Sequence, residues 1–240
     1  MIPLRDDNPT RITPYVTVTI IAANVAVFMY QLSLPAPAVT RFVYEFGTIP
    51  AVVLGTQALP AQIVLIPPLL SIFTSMFLHG GFMHIIGNML YLWIFGNNIE
   101  EAMGHSRFFL FYMVSGVLAS TAHILSDTTS TIPSIGASGA ISGILGAYFL
   151  LYPRAQVLTL VPLGFFLQLM YLPAWLILGF WFVLQVISGS LGQAGLGGGV
   201  AWWAHIGGFV AGILLVGLFK RRSVRFFNAP QFHRSRYVPW

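Results

Sequence analysis

Long uncharged apolar runs alternate with short polar segments along the chain. The runs have the length of membrane-crossing helices and lack the one-sided stripe of a soluble amphipathic helix. Tyr15 to Leu34 carries no charge, and a helix needs about 20 such residues to cross a hydrocarbon core of ~30 Å. The same pattern predicts spans over about 81–96, 108–126, 138–152, 171–188 and 200–219. The run from Ser138 to Tyr152 is short, reaching roughly 22 Å at 1.5 Å per residue. Before the second span lies a long connector, residues 35–80. Its apolar stretches, Val52 to Leu54 and Gln62 to Ile72, are interrupted by Pro60, Pro67 and Pro68 and read as short interfacial helices. Val157 to Gln168 is apolar but broken by Pro162 and Gly164. Residues 1–14 form a polar leading segment and 220–240 a basic tail. The expected fold is all-α: a polytopic bundle of six transmembrane helices over residues 15–219.

Composition supports a bilayer environment. The chain of 240 residues is 57% hydrophobic and 7% charged, with mean hydropathy +0.81, whereas a soluble domain carries about 25% charged residues. With no cysteine, disulfides and thiolate metal sites are excluded. The first apolar run is long enough to span and lacks a small-residue cleavage site, so it reads as a helix that stays. Net charge is +5, and its placement is more telling than its size. With six spans, Arg5, Arg11, Arg107, Arg154, Lys220, Arg221, Arg222, Arg225, Arg234 and Arg236 share one side, and Arg41 stands alone on the other. Such a bias places both termini in the cytoplasm. The expected location is a bacterial cytoplasmic membrane, as a multi-pass protein. The basic tail reads as an orientation signal that touches membrane lipids, not as a nucleic-acid site.

Orientation also brings rare polar residues to one depth. Ser138 opens the fourth span, His205 lies early in the sixth, and His79, His84 and Asn88 sit at the start of the second. All five then fall toward the outer leaflet, where polar groups are costly and default to function. A serine hydroxyl becomes nucleophilic when a base takes its proton, and histidine is the usual base. No Asp or Glu falls within a span, the nearest being Asp127 and Glu45 in outer connections, so a Ser138–His205 dyad is simpler than a triad. The helix start at Ser138 offers free N–H groups to an oxyanion, and Gly136 and Gly139 allow close backbone approach. His84 and Asn88, four residues apart on one helix face, suit the remaining donors. Gly139, Gly143 and Gly146 in the fourth span and Gly208 and Gly212 in the sixth allow those helices to touch. Each residue also has a plainer reading. Ser138 bonds its own helix backbone, His205 is a packing residue, and His84 with Asn88 is interhelical glue. His79 and His84 lack the carboxylate of a metal site. His123 reads as structural; His105 and His233 read as solvated.

Three separated motifs, taken together, resemble the rhomboid intramembrane serine proteases. They are His79-Gly-Gly-Phe-Met-His84-Ile-Ile-Gly-Asn88, Gly136-Ala137-Ser138-Gly139, and Ala204-His205-Ile-Gly-Gly208-Phe-Val-Ala-Gly212, in the family's order. The resemblance implies Ser138 as nucleophile and His205 as general base. It implies an oxyanion hole of His84, Asn88 and the Ser138 N–H, with His79, Gly136, Gly139, Gly208 and Gly212 in support. It further implies a six-helix protease core, no cofactor, and substrates that are themselves transmembrane proteins. One departure stands out: the aromatic residue that several members carry four positions after the nucleophile is here Ser142, and the fifth span or Trp202 and Trp203 are the expected replacements. The glycine-rich stretch 189–199 reads as a mobile cap. The expected function is an intramembrane serine endopeptidase; the alternatives are a catalytically silent binding module and a small-solute channel. A channel would predict internal repeats, and none is evident.

Overall fold

The computed structural model describes residues 1–60, 63–164, 166–191 and 200–228. The glycine-rich stretch 192–199 and the end of the tail, with His233, Arg234 and Arg236, lie outside the described residues. The chain opens with strand β1 (Ile2–Asp6), followed by helix α1 (Tyr15–Ser33). The connector holds α2 (Ala36–Phe46), α3 (Pro50–Val53) and α4 (Ser71–Thr74), the last between the 3-10 turns Pro68–Leu70 and Ser75–Phe77. Then come α5 (Phe82–Met103), α6 (His105–Ser126), α7 (Ser138–Leu151), β2 (Gln156–Leu163), β3 (Phe166–Pro173), α8 (Ala174–Leu191) and α9 (Trp202–Phe219). By length and composition, four described helices can cross a membrane: α1, α6, α8 and α9. A fifth crossing results if Pro68–Phe77 and α5, bent by 82°, count as one. The protein is therefore mostly helical, with four to five candidate spans.

These helices are apolar outward. In α1 the buried face is Thr17, Ile20, Asn24, Phe28 and Gln31, while Val18, Val25, Met29 and Leu32 are exposed. In α9 the exposed row is Val210, Leu214 and Leu218, and the buried row is Ala204, Gly208, Ala211 and Gly212. In water this arrangement would expose a large apolar surface; in lipid the outward side chains match their solvent, and small or polar residues mediate contact between helices.

Helix α7 is the central element. Every residue from Gly139 to Tyr148 is buried, with α5, α6, α8 and α9 packed around it, so a helix of 14 residues needs no lipid-matched length. Glycine makes this enclosure possible. A Cβ on Gly208 would strike the Gly139 carbonyl oxygen, one on Gly212 the Gly143 carbonyl oxygen, and one on Gly146 the Phe209 carbonyl oxygen. Backbone thus touches backbone along the α7–α9 crossing, which larger residues forbid.

The all-α expectation requires correction. β1, β2 and β3 form one antiparallel sheet with β2 in the centre. β2 and β3 pair from Gln156↔Pro173 to Leu163↔Phe166 with Gly164, at φ +59°, in the turn, making a hairpin where the sequence suggested a broken apolar stretch. Pro162 pairs only with Leu167 of β3 and lies past the end of the β1 pairing, where its missing N–H costs little. Helix α8, the fifth expected span, consequently begins at Ala174 and not near Tyr171.

The leading segment is also structured rather than a free polar arm. The Tyr148 hydroxyl donates to Asp6 Oδ2 at 2.5 Å, the Gln156 N–H to Asp7 Oδ1 at 2.7 Å, and Asn98 Nδ2 to the Asn8 carbonyl at 2.6 Å. Burial pushes the Asp6 carboxyl up from its usual 3.8 to about 7, against the lowering pull of the Tyr148 hydrogen bond. Because the folded value is raised, docking of β1 is favoured with Asp6 protonated. That contribution is full below pH 3.8 and is lost as pH rises through about 7. Going from mildly acidic to mildly alkaline buffer should therefore lower the amide-exchange protection of Ile2–Asp6, and Asp6→Asn should flatten the trend. Protection independent of pH in the native protein would refute it.

Glu100 falls between the second and third expected spans, yet it is fully buried near the end of α5. Its Oε1 accepts the Val16 N–H at 2.9 Å, and its Oε2 accepts the Thr17 N–H at 2.8 Å and the Thr17 hydroxyl at 2.6 Å. The first turn of α1, which has no side-chain cap of its own, thus receives a carboxylate where orphan N–H groups and the helix dipole favour one. His105 Nδ1 lies 2.6 Å from Glu100 Oε1, and its ring lies 5.6 Å from that of Tyr15, so His105 is not a merely solvated residue.

Candidate active site

Ser138 is the first residue of α7, and His205 lies in the first turn of α9. Ser138 Oγ and His205 Nε2 stand 2.8 Å apart. Beyond the close α7–α9 crossing, two outside contacts hold the approach to Ser138. Thr48 and Ser134 exchange both backbone hydrogen bonds, at 3.0 and 2.8 Å, and the Gly136 N–H donates to the Ser75 carbonyl at 2.8 Å. The connector therefore acts as a brace for the serine loop. Gly136 has φ +124°, which disfavours a side chain, and a Cβ there would also lie 2.7 Å from His84 Nε2.

His84 and Asn88 face this loop from α5. The Gly80 N–H donates to His84 Nδ1 at 3.3 Å, so Nδ1 is the acceptor and a neutral imidazole carries its hydrogen on Nε2, the atom beside Gly136. Asn88 Nδ2 lies 2.9 Å from His79 Nε2, which engages one of its two N–H groups and leaves the other. His79 is itself clamped by Gln31 of α1: Gln31 Oε1 accepts the His79 N–H at 3.1 Å, and Gln31 Nε2 donates to the His79 carbonyl at 3.2 Å. The rings of His79 and His84 meet edge to face at 5.1 Å. Donors from α5 and the start of α7 thus converge beside the Ser138 hydroxyl.

The His205 ring packs on Trp181 of α8 at 5.9 Å and on Trp202 at 6.1 Å, the replacement expected for the missing aromatic at Ser142. No ring contact joins Trp203 to His205 among the described residues; Trp203 lines a neighbouring cavity. Ser142 instead donates to the Ser138 carbonyl at 2.6 Å. His205 Nδ1 lies 2.8 Å from Gln185 Oε1, a partner absent from the sequence reading, which sought only acids. The signal was there: Gln185 is an amide in the middle of an apolar run. Gln31 carried the same signal, whereas nothing in the sequence singled out Thr48 or Ser75.

Two cavities meet at the site. One, about 330 Å³, holds Ser138 and His205 and continues between α5 and α8 past Gly87, Tyr91 and Trp181. The other, about 430 Å³, shares His84 with the first and is lined by His123, Asp127, Ser130 and Ser134. The first has mainly apolar walls along its extension; the second is rimmed by polar loop residues. His123, expected to be structural, therefore faces a cavity.

The helices and this site define a class: a polytopic membrane protein with a serine–histidine pair held between glycine-packed helices. The rhomboid domain model matches residues 68–222, well over half of the chain, and the chain belongs to the rhomboid family. It is 35% identical over 152 residues to the yeast Rhomboid protein 1, mitochondrial (Saccharomyces cerevisiae), covering 60% of this chain and 40% of that protein. It is 36% identical over 141 residues to Rhomboid protease GluP of Bacillus subtilis, covering 58% of this chain and 24% of that protein. RHOMBOID-like protein 1 of Arabidopsis thaliana is 29% identical over 245 residues, covering 94% of this chain and 59% of that protein. The chain thus spans less than two thirds of each of these three relatives. Mitochondrial and bacterial relatives stand side by side, so membership supports an integral membrane protein and does not support the bacterial membrane in particular.

Proposed function

We propose that the chain is an intramembrane serine endopeptidase. It has six spans and cytoplasmic termini, and it cleaves transmembrane segments of other membrane proteins near the outer face. The observation that carries this reading is the 2.8 Å approach of Ser138 Oγ to His205 Nε2, a hydrogen bond between nucleophile and base of the kind acyl transfer needs. α7 is counted as a span despite its length because its neighbours enclose it.

A substrate segment enters between α5 and α8 and unwinds beside Ser138. Ser138 Oγ bonds to the scissile carbonyl carbon as its proton passes to His205 Nε2, and the carbonyl electron pair moves onto oxygen. His84 Nε2–H, the free Asn88 N–H and the Ser138 backbone N–H hold that oxyanion; donors of this kind contribute roughly 10²–10³-fold each in rate. Collapse breaks the C–N bond, His205 returning the proton to the leaving amine. Water arriving through the polar-rimmed cavity then hydrolyses the acyl-enzyme. Neither metal nor cofactor is needed in this scheme. The partners are membrane-spanning substrates and surrounding lipids.

Labelling with a fluorophosphonate probe in reconstituted vesicles tests the reading, alongside cleavage of a transmembrane reporter. The expected result is labelling at Ser138 that disappears in His205→Ala, together with reporter cleavage. A folded protein that neither labels nor cleaves supports the silent binding module instead.

A further inference from the structure

Gln185 lies on α8 and is 6% exposed. Its two ends are engaged by different groups: Nε2 donates to the Trp181 carbonyl at 3.2 Å, and Oε1 lies 2.8 Å from His205 Nδ1. An amide nitrogen only donates, an amide oxygen only accepts, and so does a backbone carbonyl. The Trp181 carbonyl therefore selects the NH₂ end, and the oxygen is left for His205. That contact is a hydrogen bond only if Nδ1 carries the hydrogen. A neutral imidazole then has its lone pair on Nε2, the atom 2.8 Å from Ser138 Oγ.

We propose that Gln185 is a positioning residue that locks His205 in its Nδ1–H tautomer with the Nε2 lone pair on Ser138, the role a carboxylate plays in a triad. This rests on reading Ser138 and His205 as nucleophile and base. Gln185 takes no proton: when the Ser138 proton passes to Nε2, Nδ1 keeps its own hydrogen and the amide dipole faces the resulting cation. The same helix presents Trp181 to the ring face one turn earlier, at 5.9 Å, so α8 fixes both the plane and the tautomer of His205. α8 also forms one wall of the lateral cavity through Trp181, so a segment entering there shares a wall with the element that sets the base.

The test uses the full chain in vesicles with the transmembrane reporter, Ser138→Ala supplying the blank. Gln185→Leu removes the acceptor at similar volume and should lower kcat on the order of 100-fold, the penalty of a slightly misplaced group, with KM little changed. Gln185→Glu keeps an acceptor in place and should restore most of the loss. Nitrogen-15 NMR of histidine-labelled native protein, with His205 assigned by comparison with His205→Ala, should show the hydrogen on Nδ1. Gln185→Leu should show a mixture of tautomers. A Gln185→Leu protein with native kcat overturns the proposal. So does a native His205 with its hydrogen on Nε2, a result that needs no variant to fold. If the native protein neither cleaves nor labels at Ser138, the protease reading fails, and the NMR result still decides the tautomer.

Discussion

Ser138→Ala abolishes reporter cleavage while leaving the fold intact: this is the largest expected effect of a single substitution. The hydroxyl is the only atom lost, and in serine hydrolases loss of the nucleophile alone costs on the order of 10⁶-fold in kcat. Alanine at the start of α7 keeps the helix, and the Ser142 hydroxyl still reaches the residue 138 carbonyl because that bond is to backbone. The melting profile in detergent should match the native one. His205→Ala should fall as far, since the two residues act as one unit and their losses do not add. Residual cleavage above a few parts per thousand in Ser138→Ala would assign the chemistry to another residue.

Gly208→Val is expected to remove both stability and activity. Its Cβ would strike the Gly139 carbonyl oxygen, a backbone atom that no rotamer can move aside. Overpacking of this kind costs about 1–3 kcal/mol. Relief requires α7 and α9 to separate, and that crossing sets the Ser138–His205 distance. A shift near 1 Å there costs on the order of 100-fold in rate, so activity should fall further than the thermal shift alone explains. Gly217→Ala is the control on the same helix: among the described residues its added carbon would meet only Phe226 Cζ, at 3.6 Å. If Gly208→Val melts and cleaves like Gly217→Ala, the glycine contact does not set the site.

The apolar runs made the helices legible because a span needs length and little else; most expected ends lie within about three residues of the observed helix ends, but α5 runs on to Met103, well past the expected end at 96. The Ser138, His205, His84 and Asn88 positions were legible because a polar group in an apolar run is conspicuous. The sheet was not, because β1 is a strand of five residues in a mostly polar segment and pairs with a hairpin whose apolar runs resemble broken span. Gln185 is hard to read from the sequence because an uncharged amide does not stand out as a histidine partner, although an amide oxygen accepts as well as a carboxylate. The burial of Glu100 is not legible because a carboxylate near a helix end normally faces water; here the orphan N–H groups of α1, distant in sequence, stabilise it in the interior.

The sheet orders assembly in time. Ile2–Asp6 is made well before its partner β2, which follows α7 in the chain, with Ile2 opposite Leu160. The cap on α1 likewise waits for Glu100. Until those later segments arrive, the leading strand has no ladder and α1 no anion at its start. Closure of the sheet therefore marks a chain in which α1 to α7 are already placed, and the strand made before α1 is among the last elements to settle.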